Sequence, residues 1–260
     1  MNARLDATVR SLLFGSIVLC AGTAYGDGPG ECRDVPSYTA LKAALVAARS
    51  VPNGGFNLDM WGAIVNRDGV VCAVAFTGAD RGAQWPGSRV IAAQKANTAN
   101  AFSLPGLALS TANLWAAVQP GGSLYGLQHS NPVDTDVAYK TPSDKYGTSN
   151  DPMVGEKIGG VNVFGGGLAL YNSAHTLVGA IGVSGDTSCA DHNIAWRTRH
   201  TLNMDFVPGG VGADSSRPDN INYIGLVVVP SLANDFSHPI CEIAGVDGVS
   251  GISANLPVTQ

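Results

Sequence analysis

The chain has 260 residues, with 20 acidic against 15 basic side chains and a net charge of −5. An acidic chain whose Lys and Arg are scattered is a poor match to nucleic acid. Hydrophobic residues make up 45% and charged residues 13%, with 33 glycines, a mix that excludes disorder and fits one loop-rich globular domain with an extension.

Residues 11–21 carry no charge, follow Arg4 and Arg10, and run into small residues ending at Ala24-Tyr25-Gly26. This is the order of a secretory signal peptide, 1–26, and predicts cleavage before Asp27 and a secreted or periplasmic location. The apolar run is shorter than the about 20 residues that a span needs, and no membrane span is expected elsewhere. Cys32, Cys72, Cys189 and Cys241 remain beyond the leader. Their even number predicts two intramolecular disulfides in an oxidising compartment. A Cys189–Cys241 pair would tie the C-terminal stretch to the last helix.

Ser37 caps a predicted helix running to Arg49, with Tyr38, Leu41, Leu45 and Ala48 on one face. Residues 60–66 and 70–77 read as strands joined around Asp68-Gly69, a hairpin signal. A loop over 78–87 leads to a helix over 88–102, and a shorter helix is expected over 110–118. Residues 129–157 hold three prolines and little periodicity, and read as an insertion. Residues 161–171 return to strand character, interrupted by Gly165-Gly166-Gly167. A turn near Asn172 to His175 leads to a strand over 177–183. Ser188-Cys189-Ala190-Asp191 has capping-box form and opens a helix to about Leu202. The extension, 203–260, is rich in Gly, Pro, Ser and Asp, with one more strand expected over 221–229. Hairpins make the sheet antiparallel, and helices must cover it, so the class is α+β.

Nucleophile-elbow, zincin and phosphate-loop patterns are absent. The triple glycine lacks dinucleotide spacing and suits close backbone approach, to another strand or to a ligand. The turn Gly185-Asp186-Thr187-Ser188 opens a helix; its N–H groups either bind an anion or are capped by Thr187 or Ser188. Lys95 interrupts an apolar helix stripe and either reaches out to water or faces a pocket and binds an acidic group. His192 and His200 lie two turns apart, too far to share a metal easily. His129, after Leu124-Tyr125-Gly126-Leu127-Gln128, either ligates haem iron or hydrogen-bonds a backbone carbonyl. His175 falls in a hairpin turn.

Three blocks, residues 63–71 with 93–102, Gln119-Pro120-Gly121-Gly122-Ser123-Leu124-Tyr125-Gly126-Leu127, and 164–170 with 178–185 and Asp191, resemble the GlcG/HbpS family, which includes the C-terminal domain of PduO. The match in order and spacing covers about residues 37–202, so the domain is drawn over 27–202. The resemblance implies a profilin-like antiparallel sheet flanked by helices, homo-oligomers, and binding of haem or a related small molecule. It associates secreted members with extracellular haem binding and redox sensing. Haem ligation in such relatives involves a histidine near the first helix, where residues 37–49 have none. His129 is therefore the first candidate for the iron, with His192 as fallback. Lys95 and Thr187 are candidates for the propionates, and Gly166, Gly167 and Gly185 for the pocket wall. Two rivals stand beside a non-enzymatic haem binder: an enzyme acting on a small organic acid or aromatic compound in the same pocket, and a cofactor-free ligand-sensing oligomer.

Overall fold

The computed structural model describes residues 31–223, 235–241 and 249–260. The predicted leader, and residues 224–229 of the last predicted strand, lie outside the described residues. Strands β1 (Trp61–Asn66), β2 (Val71–Phe76), β3 (Gly167–Tyr171) and β4 (Leu177–Ser184) form an antiparallel sheet in the order β2-β1-β4-β3. Helix α2 (Ser88–Phe102) covers one face; α1 (Tyr38–Arg49) and α5 (Ser188–Thr201) cover the other. The class is α+β, as the two hairpin signals require. Alternation along β1 sorts its side chains. Trp61, Ala63 and Val65 pack under α2 with Ala92, Ala93 and Ala96, and Ile64 packs with Leu41, Leu45 and Trp196 on the opposite face. With both faces covered, every residue of β4 is buried, which explains its unbroken apolar run.

The first hairpin turns because Asn66 Oδ1 accepts from the N–H groups of Asp68 and Val70, both at 2.9 Å, while Gly69 takes φ +78°. Ser37 caps α1 by accepting from Ala40 N at 3.3 Å. Two expectations shift. The helix over 110–118 resolves into two 3-10 turns, Thr111–Leu114 and Ala116–Val118, because Ser110 and Asn113 bond each other and tighten the segment. The N-cap of α5 is Thr187, whose hydroxyl accepts from Ala190 N; Asp191, which would have closed a box with Ser188, turns to Lys95 instead.

The 129–157 segment is ordered and packed. The short helix α3 (Leu127–Ser130) leads into it, and it contains the short helix α4 (Thr135–Ala138). Gly155 and Glu156 exchange backbone hydrogen bonds with Val71, so the segment covers the edge of β2. Arg89, on α2, holds it down: its Nε donates to Asp151 Oδ2 at 2.9 Å, its Nη1 donates to Ala138 O at 2.8 Å, and its guanidinium lies 3.6 Å from the Tyr146 ring centre. Gly147, at φ +73°, presses against the sheet edge; a Cβ there would meet Phe76 at 2.2 Å and Trp61 at 2.7 Å. The extension is tied to α5 by a buried Arg199–Asp219 pair at 2.8 Å and by the Cys189–Cys241 disulfide. A second disulfide joins Cys32 to Cys72.

Candidate functional site

Two cavities lie on either side of residues 85–87, the lead into α2. The first, about 300 Å³, is lined by Trp85, Ser88, Ile91, Lys95, Asn162, Phe164, Ser184, Asp186, Ser188 and Asp191. Of the candidate ligand-binding residues singled out in the sequence only Lys95 lines it, beside Asp186, Ser188 and Asp191 of the turn and helix start. Lys95 is buried and donates to Asp191 Oδ2 at 2.8 Å and to Val183 O at 3.1 Å. It therefore pairs with an acidic group of the protein rather than reaching water. A Cβ on Gly166 would lie 3.1 Å from Lys95 Nζ and 2.4 Å from Val183 O, and one on Gly167 would lie 2.5 Å from Lys95 O. The triple glycine thus serves the approach of backbone to backbone.

The turn at Gly185 is filled by the protein's own carboxylates. Asp186 accepts from the N–H groups of Phe56, Leu58 and Thr187 at 2.8, 2.9 and 2.6 Å. Asp191 Oδ1 accepts from Asp186 N at 2.9 Å. Burial pushes the Asp191 carboxyl up to about 6, against the downward pull of the Lys95 charge and hydrogen bond. The Lys95 ammonium is thus taken by Asp191 and the Asp186 carboxylate by three N–H groups, and a propionate would find no spare cation here.

His192 is buried one turn into α5, tilted against Trp196 at 6.0 Å. Neither ring nitrogen makes a well-formed hydrogen bond, although Asn220 lies alongside, and burial followed by the Arg199 charge lowers its pKa to about 3. The ring is neutral but shut away from solvent. His129 is exposed on α3 and lines neither cavity. His175 is exposed, with Nδ1 at 3.0 Å from Phe206 O. Cys189, His238 and Cys241 cluster within 4.8 Å, but the two sulfurs are bonded to each other and offer no thiolate.

The second cavity, about 350 Å³, is lined by Trp61, Arg81, Gly82, Pro86, Gly87, Tyr139, Ser143 and Tyr146. Its wall is almost wholly apolar, and Arg81 is its one charged residue. Trp61 is set edge-on to Phe76 at 5.3 Å, and Tyr146 is pinned by Arg89. Tyr139, at the C-cap of α4, is 65% exposed. Sequence reasoning passed over these residues. The available signal was two tyrosines in the insertion, with Arg89 in the first turn of the helix opposite.

A family described as "Haem degrading protein HbpS-like" matches residues 38–199. No curated protein matches the chain. Among solved structures, the chain is similar to a PduOC:heme complex, at 23% identity and TM-score 0.45 over 64% of this chain and 91% of that one. It is similar to Klebsiella pneumoniae ORFY of the DUF336 family, at 24% and 0.43 over 64% and 90%, and to HbpS, at 16% and 0.40 over 78% and 99%.

Proposed function

The chain belongs to the HbpS-like family, and from that premise we propose that it is a secreted, non-catalytic haem-binding protein that holds its ligand in the cavity between Trp61 and the insertion. The supporting observation is the chemistry of the wall. Haem is an apolar plate with two carboxylates at one edge. Pro86, Tyr139 and Tyr146 offer an apolar surface at the mouth, above a Trp61 that is itself buried, and Arg81 offers a guanidinium to a carboxylate. The Lys95 cavity does not fit the group: its charges are internally satisfied, and its walls hold no His, Tyr, Cys or Met. A volume of about 350 Å³ is at the low end for ligand cavities, so the macrocycle would enter by one edge and stay partly open to solvent. Bound haem would supply an intense visible band and a redox-active iron. Two disulfides favour an oxidising compartment, and self-association of the domain is part of the proposal.

Hemin titrated into the full chain should give a saturable Soret band. Tyr146→Ala, which removes one wall, should weaken it about tenfold, a loss of about 1.4 kcal/mol. Phe164→Ala, which alters only the Lys95 cavity, should leave it unchanged. Absence of a Soret band in the wild-type protein overturns the proposal. A second reading, an enzyme acting on a small organic acid in the Lys95 cavity, is favoured by one observation, the buried Lys95–Asp191 pair on the wall of that cavity. It would show as turnover by haem-free protein that Asp191→Asn abolishes.

A further inference from the structure

We propose that the phenolate of Tyr139 is the iron ligand, and that Arg81 receives a propionate. This rests on the haem reading above. The cavity wall contains no His, Cys, Met or Lys; its oxygen donors are the hydroxyls of Tyr139, Tyr146 and Ser143. Tyrosine is an established axial ligand of haem iron. The two tyrosines differ in freedom. Tyr146 is half-buried, with Arg89 stacked 3.6 Å from its ring centre, and Arg89 is itself fixed by Asp151 and Ala138 O. Tyr139 is anchored only through its backbone, whose N–H donates to Thr135 O at 3.1 Å, and its side chain is 65% exposed. Its hydroxyl can therefore turn to meet a plate lodged at the mouth of the cavity, beside Pro86 and above the buried Trp61. In ligation the phenol releases its proton to solvent, and the phenolate oxygen forms the bond to ferric iron with no change of oxidation state.

Arg81 supplies the other half of the recognition. It stands on the loop before α2, lines the same cavity and is exposed. The neighbouring cations of the insertion are engaged, Lys140 with Glu156 and Lys145 with Asp144. An iron ligand from the end of α4 and a guanidinium from the loop before α2 would fix both the position and the orientation of the plate.

The test uses the full oxidised chain loaded with ferric hemin, read by absorption and by resonance Raman scattering. Wild-type protein should show a phenolate-to-iron charge-transfer band and the phenolate ring vibrations. Tyr139→Phe should lose both and bind hemin at least about tenfold more weakly, while Tyr146→Phe and His129→Ala keep the signature. Arg81→Gln should weaken hemin about fivefold, the scale of one exposed ion pair, yet leave binding of hemin dimethyl ester unchanged. A phenolate signature that survives in Tyr139→Phe overturns the ligand assignment, as does a histidine-type spectrum abolished by His129→Ala. Equal losses for hemin and its ester in Arg81→Gln overturn the role of Arg81. Failure of the wild-type protein to bind hemin overturns the haem reading itself, and is distinct from each of these results.

Discussion

Lys95 directs its charge inward, and Asp191, His192 and His238 are the buried groups that make stability depend on pH. Replacing Lys95 by Met would leave Asp191 buried without its partner. Breaking a buried pair in this way costs about 3–5 kcal/mol, so a urea melt at neutral pH should show a loss of that size while hemin binding by the folded fraction stays intact. The pH dependence follows from three shifts. Asp191 is raised from 3.8 to about 6, so its contribution is fully present below 3.8 and is lost as pH rises through 6. His192 and His238 are lowered from 6.5 to about 3 and about 4; the stability they contribute is present above 6.5 and is lost as pH falls through those values. Between about 4 and 6 two histidines oppose one carboxylate, so acidification should destabilise the protein. Asp191→Asn, which removes the opposing contribution, should make the loss steeper; equal slopes in wild type and variant would show that the carboxyl is not perturbed. The sequence showed a lysine in an apolar stripe, which left open both a stem reaching to water and a pocket-facing ammonium that binds an acidic group. Only the fold brings Asp191, 96 positions away, onto it.

At the scale of elements, the insertion stands on the ion pair between Arg89 and Asp151. Both side chains are almost fully buried, and Asp151 also accepts from the N–H groups of Gly147 and Met153 at 2.7 and 2.9 Å. Arg89→Met should therefore cost about 3–5 kcal/mol and speed amide hydrogen exchange over 134–153 more than over β1 or β4. Uniform acceleration across the chain would mean that the segment unfolds only with the whole domain. Helices α1 and α2 were legible because Ser37, the 3.6-residue periodicity of 38–49 and the alanines of α2 all act locally. The hairpin at Asn66 to Gly69 was legible for the same reason. The insertion was not: its order depends on Arg89 and Val71, which are distant in sequence, and its short helices carry no periodic stripe. The tyrosine cavity was hidden likewise, because Trp61, Arg81 and Tyr139 meet only when the insertion folds onto the sheet edge.

For the whole molecule, the two disulfides set which parts can be lost separately. Cys32–Cys72 closes 40 residues and staples the start of the domain to β2; Cys189–Cys241 closes 52 and fastens the extension to α5. Loop-closure entropy assigns each about 4 kcal/mol, enough to matter against total stabilities of about 5–15 kcal/mol. The even cysteine count announced two bridges; the compartment argument could not choose the partners. The extension has further anchors, the Arg199–Asp219 pair and the hydrogen bond from Trp196 Nε1 to Pro257 O at 2.9 Å. Replacing Cys189 and Cys241 together by Ser should therefore loosen the extension before the sheet. Limited proteolysis should then cut beyond residue 203 while the far-ultraviolet dichroism of the domain persists. Every residue lining the tyrosine cavity lies between Trp61 and Tyr146, and none belongs to the extension. The double variant should thus bind hemin as the parent does, within about twofold, well under the tenfold that marks 1.4 kcal/mol. A loss of hemin binding that parallels proteolysis of the extension would place the ligand against the extension instead, and the cavity between Trp61 and Tyr139 would no longer account for it.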